Sequence, residues 1–444
     1  MALKALDIYK LLPKTNCKEC GFPTCLAFAM KLAAGKVDVE KCPCLDEETR
    51  AMLGGATRPP IQRIEIGVGE RFLTIGEEFV MFRHEKTFYH EPGLMFGISD
   101  TLDADAAKAI ADRAASEVVH RIGMDLRING IAFRYESGSP ERFGALVGAV
   151  EGCMELPEIV MALDPAAQAE ALAHCGHYRP VIYAATEENH TEMCELAIKF
   201  GAPLAVAAEG IDALVKCVRA CRDAGVKDIL LDPLPPSLQD YVHMATAIRR
   251  RALTRELPEL GYPLVIDTYQ YPFTDVATAL GILKYAGVIV TPPLSPAASL
   301  AALTLRQNIY TDPQKPIQVT PGLYPVNGPG SDAPLLMTVN FSLTYFTLLG
   351  YLEASKIPCY LFIVDTEGLS VLTAVAGGKL DEVMVADALR EFGVEEAVDH
   401  HVIIIPGYAA PLSGRIEEET GWTVKVGPRD ASEIGEYLEK EWRK

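Results

Sequence analysis

The sequence predicts an α/β protein in three parts: a small cysteine-rich amino-terminal domain, a central (β/α)8 TIM-type barrel and a smaller carboxy-terminal α/β domain. Three observations carry this. Four cysteines, Cys17, Cys20, Cys25 and Cys42, stand in the spacing C-x2-C-x4-C-x16-C. Eight short apolar runs alternate with helical patterns between Gly93 and about Tyr310. After a stretch dense in proline and glycine, the alternation of strand and helix starts afresh at Thr338. On this reading residues 1–57 form the cysteine domain, 58–92 a linker and a hairpin, 93–311 the barrel, 312–330 a second linker and 331–444 the last domain.

Three thiolates between Cys17 and Cys25 and a fourth at Cys42 are the arrangement that wraps a cubane cluster, so the segment reads as a [4Fe–4S] site. In N-C-K-E-C-G-F-P-T-C, Gly21 and Pro23 allow the turns and Asn16 is available to bond locally. Structural zinc is the alternative, although it usually takes its ligands as two separated pairs. Cys44 lies two residues past Cys42 across Pro43 and competes with it for the fourth position; Cys42 is the choice. The six others, Cys153, Cys175, Cys194, Cys217, Cys221 and Cys359, sit in apolar contexts and read as buried reduced thiols. An apolar stripe from Leu3 to Leu12 precedes the cysteines, and a helix from Leu26 to Ala34, stopped by Gly35, follows Cys25. The text G-G-A-T-R-P-P marks a linker at about Leu53 to Pro60.

The eight barrel strands are expected at Leu94–Ile98, Ile131–Tyr135, Glu158–Leu163, Val181–Ala184, Leu204–Ala207, Asp228–Leu231, Leu264–Asp267 and Val288–Thr291. Helices such as Asp103–His120 and Glu187–Phe200 follow them. Eight such units within a length near the barrel's usual ~250 residues favour closure over an open doubly wound sheet. Segment Ile64 to Phe88 alternates apolar residues and is expected to cover the barrel floor as a hairpin. Asp232 and Asp267 end barrel strands and read as N-caps or polar-layer residues. With no convergent acid, base and anion site, the barrel is expected to serve as scaffold and docking surface.

The last domain is expected as strands Thr338–Phe341, Tyr360–Val364, His401–Ile405 and Thr423–Val426, alternating with helices in a Rossmann-like or flavodoxin-like layout. Ligands in such sheets sit beyond the carboxyl ends of the strands. Those ends carry N-F-S-L-T-Y-F, D-T-E-G-L-S-V-L-T-A, P-G-Y-A-A-P-L-S-G and G-P-R-D, all small, hydroxyl-bearing or glycine-rich. Free N–H groups around Gly368–Ser370 and Gly407 are expected to suit a phosphate, unless these are ordinary capped loops. Neither a G-x-G-x-x-G fingerprint nor a Walker loop is present, so neither NAD nor ATP is indicated.

The net charge of −19 argues against nucleic acid and against a basic membrane-surface patch. No run reaches the roughly eighteen apolar residues of a membrane span, and the start lacks a signal-peptide pattern, so a cytoplasmic place is expected.

The cysteine run, F-R-H-E-K-T-F-Y-H, N-F-S-L-T-Y-F, D-T-E-G-L-S-V-L-T-A and I-I-I-P-G-Y-A-A-P-L-S-G together resemble the large (gamma) subunit of the corrinoid/iron–sulfur protein of the reductive acetyl-CoA pathway. The resemblance covers essentially the whole chain. It implies a cobamide-binding carboxy-terminal domain and a smaller barrel subunit as heterodimer partner. It further implies a cobalt that, as Co(I), accepts a methyl group from methyltetrahydrofolate through a separate methyltransferase. Methyl–Co(III) then serves acetyl-CoA synthase/CO dehydrogenase, with the cluster and a reductive activator restoring oxidised cobalt. Matched segment by segment, it points to Asn340, Thr344 and Phe346 in the first loop and to Ser370, Val371, Leu372 and Thr373 in the second. Gly407, Tyr408, Ala409 and Ala410 follow in the third, and Gly427 and Arg429 in the fourth.

Many methyl-transferring cobamide proteins share a D-x-H-x-x-G motif whose histidine ligates cobalt. Here Asp399, His400 and His401 begin that text, but Ile404 stands in place of the glycine and the run precedes its strand. Both histidines therefore read as surface or packing residues, and the resemblance implies a cobamide held base-off, whose Co(II) is easier to reduce. Two other functions compete: an iron–sulfur electron carrier with a flavin-binding last domain, and a barrel enzyme acting directly on a pterin.

Overall fold

The computed structural model describes residues 5–33, 37, 39–46, 49–50, 53, 59–151, 155–313 and 316–442. Gly35, Cys153 and most of the linker expected at Leu53 to Pro60 lie outside these residues. The chain divides into two compact units, one of residues 1–119 and 126–310, the other of residues 120–125 and 311–444.

In the first unit, helices Ala5–Leu11 and Cys25–Ala33 pack around Ile8, Leu12, Phe28 and Leu32, all buried. An antiparallel hairpin follows, β1 (Ile64–Val68) and β2 (Arg71–Ile75), with Ile64 opposite Ile75 and Ile66 opposite Leu73. The period-2 alternation buries Ile64, Ile66 and Ile75 beneath the barrel. Arginines fasten this floor. Arg71 donates to Glu158 at 3.2 Å and to the Glu151 carbonyl at 3.0 Å, and stacks over Tyr178. Arg249 bonds Glu78 and the Val80 carbonyl.

The barrel strands are β3 (Gly93–Ser99), β6 (Gly130–Arg134), β7 (Glu158–Met161), β8 (Val181–Ala185), β9 (Leu204–Ala207), β10 (Ile229–Asp232), β11 (Leu264–Asp267) and β12 (Ala286–Thr291). All pair in parallel, and β12 returns to β3, so the sheet closes. They are legible as continuous apolar runs because helices cover the outside and side chains fill the inside. One expected helix is corrected. It ends at Ser116 rather than His120, because β-branched Val118 and Val119 begin a two-stranded hairpin, β4 (Val118–Arg121) and β5 (Met124–Arg127).

The second unit holds one sheet in the order β13-β15-β14-β16-β17, from β13 (Gly322–Val326), β14 (Leu335–Val339), β15 (Cys359–Val364), β16 (Val402–Ile405) and β17 (Thr423–Val426). The last four are parallel, and β13 runs antiparallel beside β15. This corrects the expected linker at 312–330, which contains that edge strand; an edge position tolerates Pro325, which no inner strand would. Helices cover both faces. Trp422, Val385, Leu389 and Ile416 pack on one, and helices Ser342–Ser355 and Ile434–Glu441 bring Leu352, Ile434 and Leu438 to the other. No helix among the described residues is long and apolar enough to cross a membrane.

Candidate functional site

The cysteine loop is built by its own backbone. Gly21 adopts φ +83° and donates to the Lys18 carbonyl at 2.9 Å, and the Asn16 side chain accepts from Cys25 N–H at 2.8 Å, tying the start of the loop to the start of a helix. Asn16 N–H points at the Cys25 sulfur at 3.4 Å, the kind of N–H to sulfur contact that stabilises a thiolate ligand. Cys25 and Cys42 are buried, Cys20 is half-buried and Cys17 is exposed. Cys44 is exposed, yet its sulfur lies 3.7 Å from that of Cys17, so five thiols gather in this segment. Among the described residues, the only trio of candidate ligands within 4.8 Å of one another is Cys17, Glu19 and Cys44; no three of Cys17, Cys20, Cys25 and Cys42 lie that close together.

At the carboxyl ends of β14, β16 and β17 lies a cavity of about 340 Å³, walled by Leu336, Leu348, Ile404 and Ile434. Seven of the residues indicated by the sequence line it: Thr344, Ser370, Val371, Leu372, Tyr408, Gly427 and Arg429. The Arg429 guanidinium stands 5.6 Å from the Tyr408 ring centre. Leu343, Leu372 and Tyr408 leave large apolar surfaces exposed at the rim.

The other six take supporting places. Asn340 is buried, and both ends of its amide are held by the 365–368 loop: Nδ2 donates to Asp365, and Oδ1 accepts from Thr366 N–H, the Thr366 hydroxyl and Gly368 N–H. Phe346 packs where a Cβ on Gly123 would stand, and against Tyr345. Thr373 bonds Ser370, which caps the helix Val371–Ala376. Ala409 is wholly buried, and the Ala410 carbonyl accepts from Ser413. A Cβ on Gly407 would sit 2.8 Å from Arg429 N and 2.9 Å from the Gly427 carbonyl, so only glycine lets the third and fourth loops meet. Three of the amides expected to suit a phosphate are already occupied: Gly368 N–H is held by Asn340, Leu369 N–H by the Thr366 carbonyl and Gly407 N–H by the Pro428 carbonyl.

His400 and His401 precede β16, at the opposite end of the sheet from this cavity. His400 bonds the Ala333 carbonyl and meets Trp442 edge-on, while His401 packs against Trp422.

The barrel mouth holds more than the sequence revealed. Asp232 accepts from the Tyr183 hydroxyl at 2.9 Å and from Leu234 N–H at 2.9 Å, and burial pushes its carboxyl up to about 6. Asp267 accepts from Tyr269 N–H and pairs with Arg134 at 2.8 Å. Arg134, at the end of β6, was not singled out in the sequence. It resembles any strand-terminal arginine until the closed barrel brings β11 across from it.

A family model described as "CO dehydrogenase/acetyl-CoA synthase delta subunit" matches residues 63–438, and one described as "Putative Fe-S cluster" matches residues 12–44. The corrinoid/iron-sulfur protein large subunit of Moorella thermoacetica is 40% identical over 436 residues, 98% of each chain. The acetyl-CoA decarbonylase/synthase complex subunit gamma of Methanopyrus kandleri is 36% identical, covering 99% of this chain and 98% of that one. Its counterpart from Archaeoglobus fulgidus is 37% identical, covering 98% of both. With likeness running from the cysteine loop through the barrel to the last helix, the chain belongs to the family of corrinoid/iron–sulfur protein large (gamma) subunits.

Proposed function

We propose that this chain is a methyl-carrying subunit whose second unit, a flavodoxin-like cobamide-binding domain, holds the cofactor base-off, and whose Cys17, Cys20, Cys25 and Cys42 hold a [4Fe–4S] cluster. When bound, the cobamide supplies a cobalt that accepts a methyl group and gives it up again, and the cluster supplies the electrons that return oxidised cobalt to its accepting state. The observation that carries the reading is the apolar cavity at the carboxyl ends of β14, β16 and β17, which no histidine lines.

A flat aromatic lower base suits walls of Leu336, Leu348, Ile404 and Ile434. Ser370, Leu372, Tyr408 and Arg429 ring the opening and would meet the macrocycle. The strand order, with the first parallel strand between the second and third, is the doubly wound order whose switch point binds ligands. Among the described cavity residues the polar groups are hydroxyls and Arg429, so this chain holds and shields a cofactor and has no acid–base pair there for proton transfer. The spacing, with three cysteines between Cys17 and Cys25 rather than two separated pairs, favours a cubane over a single structural zinc.

The exposed Leu343, Leu372 and Tyr408 support a covering partner, the small barrel subunit. The other partners are a methyltetrahydrofolate methyltransferase, acetyl-CoA synthase/CO dehydrogenase and a reductive activator, all meeting in the cytoplasm. The test is the ultraviolet–visible spectrum of the protein, made with its partner in a corrinoid-sufficient host, before and after strong reduction, with cobalt and iron assays. Corrinoid bands and about four irons are expected. A cobalt-free preparation that releases a yellow chromophore on heating would instead make the chain a flavin-bearing electron carrier.

A further inference from the structure

The corrinoid reading leaves the barrel mouth without a role, yet it contains a formed pocket of about 130 Å³ whose lining includes Arg134, Tyr135, Glu136, Met161, Leu163 and Asp267. These residues come from the ends of different barrel strands, the face on which barrels place their sites.

Arg134 is held rigidly. Its Nε donates to Glu136 at 3.0 Å, its Nη1 donates to Asp267 at 2.8 Å, and the guanidinium lies 3.9 Å from the Tyr269 ring centre. Its remaining nitrogen, Nη2, has no hydrogen-bond partner among the described residues and is not sealed from solvent. Asp267, beside it, lines the pocket and keeps lone pairs beyond those used by Arg134 and Tyr269 N–H. Glu136, the second carboxylate of the lining, is already taken up by Arg134 Nε and the Ser99 hydroxyl, so the pocket offers one charge-assisted donor next to the acceptor of Asp267. A bare anion would meet Asp267, Glu136 and Asp232, and a bare cation would meet Arg134. The complement is a neutral group with a carbonyl beside an N–H. Met161, Leu163 and the Tyr135 ring add flat apolar walls.

We propose that the barrel mouth of this chain binds a neutral planar lactam heterocycle, its carbonyl accepting from Arg134 Nη2 and its N–H donating to Asp267. The site is independent of whether the second unit carries a cobamide. Saturation-transfer NMR titrations of the full chain with 2-pyridone and N-methyl-2-pyridone test it. Saturable binding of 2-pyridone is expected, about tenfold weaker for the methylated ring, which lacks the donor, and about tenfold weaker in Arg134→Lys, which keeps the charge and loses the fork. Leu163→Trp, at an exposed rim position away from the Arg134 bonds, blocks the mouth and abolishes binding without lowering the melting temperature. Equal binding of the two rings, undiminished binding by Arg134→Lys or Leu163→Trp, or no saturable binding at all overturns the assignment.

Discussion

Replacing Asn340 by alanine should loosen the whole ligand edge of the second unit. The side chain is 1% exposed and makes four hydrogen bonds: to Asp365 at 2.8 Å, from Thr366 N–H at 2.9 Å, from the Thr366 hydroxyl at 3.1 Å and from Gly368 N–H at 3.0 Å. Alanine leaves the buried N–H groups of Thr366 and Gly368 without acceptors, at about 1–3 kcal/mol each, so a loss of about 2–6 kcal/mol is expected. Both tryptophans of the chain, Trp422 and Trp442, belong to this unit, so urea unfolding followed by intrinsic fluorescence reads it selectively. Asn340→Asp sharpens the test. It keeps the acceptor for the two amides but sets a carboxylate against Asp365; adding Asp365→Asn restores a donor facing an acceptor and should recover at least about 1 kcal/mol. Destabilisation of less than about 0.5 kcal/mol in Asn340→Ala, within the range of ordinary surface changes, would refute the reasoning. So would a double variant no more stable than Asn340→Asp.

Gly407→Ala should separate the third and fourth loops, because its Cβ meets backbone atoms at 2.8 and 2.9 Å; equilibrium dialysis should show weaker corrinoid retention than in the parent. Burial pushes the Glu158 carboxyl from 4.5 up to about 7, against the pull of Arg71. The folded chain therefore binds a proton that the unfolded chain has released. Stability from this group is complete below about pH 4.5 and declines by about 3 kcal/mol as pH rises to 7, a slope that Glu158→Gln should remove from a pH series of denaturation midpoints. Cys42→Ser should lose iron on anaerobic desalting, whereas Cys44→Ser should keep it; the reverse result would transfer the fourth ligand to Cys44. A folded, corrinoid-loaded Cys20→Ala variant should still transfer methyl groups from reduced cobalt but fail to recover from Co(II), as followed by its absorbance; recovery at the parent's rate would remove the cluster from reactivation.

Much of this was legible in the sequence, for identifiable reasons. All eight barrel strands could be read because each is a short run buried on both sides, such as Leu204–Ala207, alternating with longer helical patterns. The edge strand Gly322–Val326 was hidden because antiparallel pairing at a sheet edge accepts the same proline and glycine that mark a linker. The four ligand-edge loops could be located from strand ends, yet the direction of each side chain could not. Asn340 turns back into its own loop and Phe346 turns toward Gly123, choices fixed by contacts distant in sequence. Arg134 escaped for the same reason, since its partner Asp267 lies 133 residues away.

The sheet of the second unit is unevenly upholstered. One face is closed by a broad layer that includes Trp422, Phe362 and Leu389, while the other has fewer buried side chains and, next to Leu336, Ile404 and Ile434, a hollow. A molecule filling that hollow completes a wall of the fold, so occupancy and folding are thermodynamically linked. At a free ligand concentration one hundred times its dissociation constant, the linkage amounts to about 2.7 kcal/mol. Chains that emerge in a cell short of the ligand would then be the less stable ones and the first exposed to proteolysis.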